Sequence, residues 1–186
     1  MMMGALFSLE PKVWASSPLG GPIKVRILNI SKIMQQSDGA VGVLSFLDKY
    51  REIYHSEITK SEESLRHLHK ELEDNQNKLT REEFEKQRKN FEVKLLELNR
   101  QLQHHKSELE FIHEQAMELI HKKIMEITAD ICQSQKISLV LPIESVVYQT
   151  QDLEITEEVL KRLNKHLPSL DVQKIKHQFT QNSHER

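Results

Sequence analysis

The chain has one cysteine, five glycines, five prolines and only 5% aromatic residues among its 186 positions. A lone Cys132 excludes an intramolecular disulfide and does not by itself identify a redox compartment; its expected role is a small buried side chain. With 38% hydrophobic and 29% charged residues, the chain is too polar to bury itself as one compact globule, and an elongated shape is expected. No apolar run approaches the roughly 20 residues of a membrane-spanning helix, so stable membrane insertion is not expected. A formal net charge of -2 gives no general pull toward nucleic acid, and none is expected as a partner, while contact with a lipid surface stays open. There is no glycine-rich phosphate loop and no nucleophile motif around Cys132, which argues against an enzyme and against any cofactor.

What the chain does have is a long charged stretch, residues 41–136, in which apolar residues return at spacings of three and four. On the outgoing half the seam is Leu44, Leu47, Arg51, Tyr54, Ile58, Ser61, Leu65, Leu68 and Leu72. On the return it is Phe84, Arg88, Phe91, Leu95, Leu98, Leu102, His105, Leu109, Ile112, Ala116 and Leu119. This narrow alternation predicts an antiparallel coiled-coil hairpin. The pattern pauses at residues 75–80, where Thr80 and Glu83 have the spacing of a capping box, so the reversal belongs there. An outgoing arm of about 37 residues at 1.5 Å per residue spans roughly 55 Å, which makes the hairpin a projection from a body. Past Leu119 the stripe shifts to Ile120, Ile124, Ile127 and Ile131, so the base of the return helix should pack on something other than its partner arm.

The body is expected from both flanks, residues 23–40 and 137–166. Ile23, Val25 and Ile27 alternate with Lys24, Arg26 and Leu28, as in a half-buried strand. Residues 137–141 and 146–148 read as a strand pair around Pro142, with Leu139, Leu141, Val146 and Tyr148 joining Val25 and Ile27 in the core. Thr156 is placed to cap a short helix with Glu157 and Glu158 in its first turn. So small a body buries too little surface alone, and oligomerisation is expected to complete it. The fold class is thus α+β, mainly α. Residues 167–186 read as a polar, frayed tail. Residues 1–22 read as a leader and linker; Val13 and Ala15 fit a signal-peptidase pattern, but the basic start is missing. Export with an atypical signal and a cytoplasmic leader both stay open.

The order strand, long hairpin, strand pair and closing helix resembles the Skp/OmpH family of periplasmic chaperones for outer-membrane proteins. The residues carrying the resemblance are Ile23-Lys-Val-Arg-Ile-Leu-Asn-Ile30, the return stretch Phe84-Glu-Lys-Gln-Arg-Lys-Asn-Phe91, and Ile137 through Tyr148 leading to Ile155-Thr-Glu-Glu-Val-Leu160. The resemblance implies a homotrimer whose hairpins extend as tentacles around a cavity, an ATP-independent holdase for unfolded outer-membrane proteins, and a periplasmic location. Family members are often strongly basic, whereas residues 41–136 here carry 19 acidic against 16 basic residues. Pro142 and Glu144 also stand where the family usually has Asp and Asn between the late strands. A coiled-coil tether or a prefoldin-like cytosolic chaperone is the alternative; prefoldin strands lie between the helices, whereas here they lie outside the hairpin.

Seam residues are expected to hold the arm together, so client contact falls to apolar residues off the seam: Val93, Leu96, Phe111 and Met117. Arg51, Ser61, Arg88 and His105 interrupt the seam, which either lets the arms flex to fit clients of different size or leaves Arg51 and Arg88 to reach outward to carboxylates. The pairs Glu52-x-x-His55, Glu110-x-x-His113 and Glu118-x-x-His121 have the spacing of di-iron helical bundles, but two of them share one helix. They read as solvated neighbours, and no metal is expected.

Overall fold

The computed structural model describes residues 23–76 and 78–184, with the backbone alone at 183 and 184; the leader and linker lie outside the described residues. The elements in order are β1 (Val25–Leu28), α1 (Ile30–Gln36), α2 (Asp38–Asn75), α3 (Arg81–Gln135), β2 (Leu139–Pro142), two 3-10 turns (Ile143–Ser145 and Gln151–Leu153), α4 (Thr156–His166) and α5 (Val172–His184).

Local chemistry sets the boundaries. The Asn29 side chain accepts from the Lys32 N–H (2.8 Å) to start α1. Buried Ser37 then ends α1 and starts α2, its hydroxyl accepting from the Ala40 N–H. Gly39 lets the chain pass close to α4, because a Cβ there would lie a tight 3.2 Å from the Leu167 carbonyl oxygen. At the start of α3, Thr80 Oγ1 accepts from the Glu83 N–H (3.4 Å) and Glu83 Oε2 accepts from the Thr80 N–H (3.0 Å), the reciprocal capping box. Lys136 closes α3 in the left-handed conformation (φ 56°) that glycine usually fills. Lys24 Nζ donates to the carbonyl of Gln135 (3.0 Å) at the C-terminal end of α3, where helical carbonyls lack partners within the helix.

Contacts between α2 and α3 climb one helix as they descend the other. Leu47 clusters with Ile112 and Ala116, Tyr54 stacks on His105, Ile58 and Leu65 enclose Leu98, and His69 meets Phe91. α3, with 55 residues, outruns α2, with 38. Its surplus carries Ile120, Ile124, Ile127 and Ile131, which form the main core with Leu28, Ile33, Ala40, Ile155, Val159 and Leu163. Each of those isoleucines is essentially removed from water, worth about 1.5–3 kcal/mol apiece before entropy is counted.

β1 and β2 pair in parallel, with Val25 opposite Leu139 and Leu28 opposite Pro142, and Ile27 makes one further bridge to Glu154. The expected second late strand does not form. Pro142 brings no N–H, and the 3-10 turn that follows turns the chain before Val146 can fold back on β2. Val147 and Tyr148 stand in solvent. Of the body residues, Ile27 is buried and Val25, Leu141 and Val146 are half-buried, while Leu139 is 47% and Tyr148 84% exposed within one chain.

The stretch read as a frayed tail holds α5. Asp171 accepts from the Lys174 N–H (3.1 Å) at its start, and Val172 and Ile175 are buried against α2 and α3. Its polar composition conceals one apolar face.

Candidate client-binding surface

Apolar side chains on a charged helical arm are either consumed in packing or left facing water, and only the second kind can meet another chain. Ile58, Leu65 and Leu98 are consumed, and Leu68, Leu72, Phe84, Phe91 and Leu109 are half-buried. Four expected seam residues are not: Leu44 is 43%, Leu95 42%, Leu102 39% and Leu119 46% exposed. At the base the buried position is Val43, one residue earlier than Leu44, because α2 there packs against α5 as well as α3 and its inner face is rotated. In mid-arm the partner of Leu98 is flanked by Ser61 and Ser64, which are too small to cover α3. They line an open groove of about 310 Å³ with Leu65, Lys94, Glu97 and Gln101.

Val93 (53%) and Leu96 (59%) are exposed on α3. At about 100° per residue Val93 projects opposite Leu95 and Leu102 and Leu96 stands roughly a third of a turn from them, so apolar surface is spread around the arm. Ile53 adds a third position on α2. Nearer the reversal, Leu72, Phe84 and Phe91 floor a groove of about 330 Å³ walled by His69, Glu73, Arg88 and Glu92.

Phe111 and Met117 do not belong to this surface. Phe111 lies 5.5 Å ring to ring from Phe179 of α5, and Met117 packs between the two larger core clusters. The sequence hides this because residues 172–184, whose Phe179 meets Phe111, have the composition of a polar tail. Polar seam positions behave as long side chains should: Arg51 reaches Asp48 (2.7 Å), Arg88 reaches Glu85 (2.7 Å) and Glu92 (3.8 Å), and Ser61 donates to the Glu57 carbonyl (3.2 Å).

One polar cluster was missed. Glu108 is 4% exposed. The Tyr54 hydroxyl donates to it, and Lys176 Nζ of α5 lies 3.3 Å away. Lys176 also sits 4.3 Å above the Tyr50 ring. Burial pulls the Lys176 ammonium down, but hydrogen bonds with Tyr50 and Tyr54 and the charge of Glu108 outweigh it and raise its pKa overall. His105 stacks on Tyr54 with ring centroids 3.8 Å apart. The signal was legible: His105, Glu108, Ile112 and Ala116 share one helical face, which places a carboxylate in an apolar row. Among the described residues no three His, Cys, Asp or Glu side chains gather as metal ligands, and no helix is long and apolar enough to cross a membrane.

A long helical pair rooted in a body that joins strands from both flanks defines a helical-arm protein. The outer membrane protein (OmpH-like) family profile matches residues 24–163, and the chain belongs to that family. A crystal structure of an OmpH-like protein from Caulobacter crescentus CB15 shares this fold with a TM-score of 0.73 at 20% identity, covering 81% of this chain and 89% of that one. No curated protein gives a significant match.

Proposed function

We propose that this OmpH-like protein is an ATP-independent holdase that keeps unfolded outer-membrane proteins from aggregating in the periplasm. The observation that carries the reading is the placement of Val93, Leu95 and Leu96 in solvent on a charged arm attached to an OmpH-like body. The Caulobacter relative is itself described as a candidate outer membrane chaperone. Numerous weak apolar footholds suit a client that must leave without nucleotide hydrolysis, whereas one deep pocket would bind too selectively. With 19 acidic against 16 basic residues across residues 41–136, the arms hold clients by dispersed apolar contact more than by charge.

The antiparallel coiled-coil hairpins act as tentacles of a homotrimer. Support comes from the body: Leu139, Val147, Tyr148 and Ile23 are exposed large apolar residues, and β2 has no partner beyond β1 among the described residues. Such an edge is a template for another copy of the chain. The parallel pairing of β1 with β2 outside the hairpin disfavours the prefoldin-like alternative. The test is suppression of aggregation of a urea-diluted outer-membrane barrel without ATP, with mass in solution measured alongside. Unchanged aggregation sinks the holdase reading, and a stable monomer sinks the shared body.

A further inference from the structure

α5 begins at Val172, beyond the residues matched to the OmpH-like family, 24–163. It covers a groove between α2 and α3 whose floor is Val43, Leu47, Ile112 and Ala116. Into this groove α5 sends Val172, Ile175, Lys176 and Phe179, the i, i+3, i+4, i+7 positions of one helix face. Phe179 meets Phe111 at 5.5 Å and His104 at 5.4 Å ring to ring. Lys176 meets the one buried carboxylate of the groove, Glu108, between the Tyr50 and Tyr54 hydroxyls at 3.3 and 3.4 Å. The groove therefore has a chemical preference: apolar side chains around one cation, because a buried carboxylate selects a positive partner.

The cover itself is slight. α5 has 13 residues, and isolated helices shorter than about 12–15 residues are marginal in water. It is joined to α4 through residues 167–171, whose Leu167 and Leu170 pack on the core clusters, so a displaced α5 stays anchored at its start and close to the groove at high effective concentration. Such a helix closes the groove when nothing else is present and yields to a competitor of the same pattern.

We propose that the groove beneath α5 is a docking site for segments of unfolded clients in which a basic side chain is flanked by apolar ones, and that α5 is the resident stand-in which such a segment displaces. The inference rests on the holdase reading. The test uses the full chain as wild type, Lys176→Glu and Lys176→Gln, the last removing the charge while keeping half of the aliphatic stem. The probe is a fluorescent peptide with the sequence of residues 172–184, followed by anisotropy. Lys176→Glu should bind the peptide at least tenfold more tightly than wild type, whose groove is occupied, with Lys176→Gln between them. The same peptide carrying Lys176→Glu should bind none of the three. Lys176→Glu should suppress barrel aggregation at a several-fold lower concentration, and excess peptide should remove that gain. Absence of peptide binding by both variants, each still unfolding cooperatively on heating, overturns the proposal. So does an active wild type whose activity neither the substitutions nor the peptide change. A wild type with no holdase activity overturns the reading beneath it instead, and the two failures are distinct.

Discussion

The Tyr54 hydroxyl donates to the buried carboxylate of Glu108, joining α2 to α3 at the one point, among the described residues, where a carboxylate is buried inside the arm. Burial first, then the hydrogen bond and negative charge of Glu108, hold the Tyr54 phenol well above its ordinary range, so it stays a donor at physiological pH. Tyr54→Phe should cost about 1–3 kcal/mol in urea unfolding, because it takes a partner from a buried carboxylate. Tyr50→Phe, whose hydroxyl lies 3.3 Å from Lys176 Nζ, should cost less. Equal losses would mean that the Tyr54 bond to Glu108 adds no more than the Tyr50 contact with Lys176.

Ile124 is fully buried where α3 outruns α2 and meets α4 and β1. Ile124→Ala should destabilise the chain by about 2–5 kcal/mol, through lost transfer energy and the cavity left behind. Leu96→Ala, at an exposed site, should stay within about 0.5 kcal/mol. Chemical denaturation of both variants against wild type measures the contrast, and a small effect at Ile124 would contradict the core assignment.

Replacing Val93 and Leu96 together by Ser should leave the thermal midpoint unchanged and weaken client binding by on the order of fivefold, since each lost contact removes apolar area that only the client covers. Replacing Phe111, which packs against Phe179, should instead lower stability. The discriminating measurement is aggregation suppression beside thermal unfolding for each variant. A Val93 and Leu96 double variant as active as wild type would move client contact off this face.

The Thr80 hydroxyl, then the Thr80 N–H, hold the Glu83 carboxyl below its ordinary pKa. Because the folded value is lowered, its contribution to the first turn of α3 is complete above the ordinary glutamate range. That contribution is lost as pH falls through the lowered value. An NMR titration should place the Glu83 midpoint below that of an unstructured glutamate, and Thr80→Ala should return it toward normal. An ordinary midpoint in the wild type would mean that the box is open in solution.

How far the sequence could be read depended on how local each feature was. The Thr80–Glu83 box needs only a spacing of three, and the shift from Leu119 to Ile120 was visible because one unbroken helix records its change of partner in its own register. Val43 displaced Leu44 for a reason outside both helices, the presence of α5, and no two-helix periodicity contains that information. α5 itself had local signals, Asp171 at its start and Val172, Ile175 and Phe179 at helical spacing, hidden by polar composition. Val146–Tyr148 had strand propensity without a neighbour to pair with, and propensity of that kind yields to context.

The parallel pairing of β1 with β2 has a kinetic meaning. The Lys24 N–H donates to Ser138 Oγ across a separation of 114 residues, so the sheet closes a loop containing the whole arm. Closing such a loop in an open coil is slow, because its entropy is lost before any contact rewards it. Zippering of α2 onto α3 away from the reversal shortens that search step by step. On this order of events the sheet belongs to the end of folding, and weakening a β1 contact should quicken unfolding while leaving the refolding rate nearly as it was.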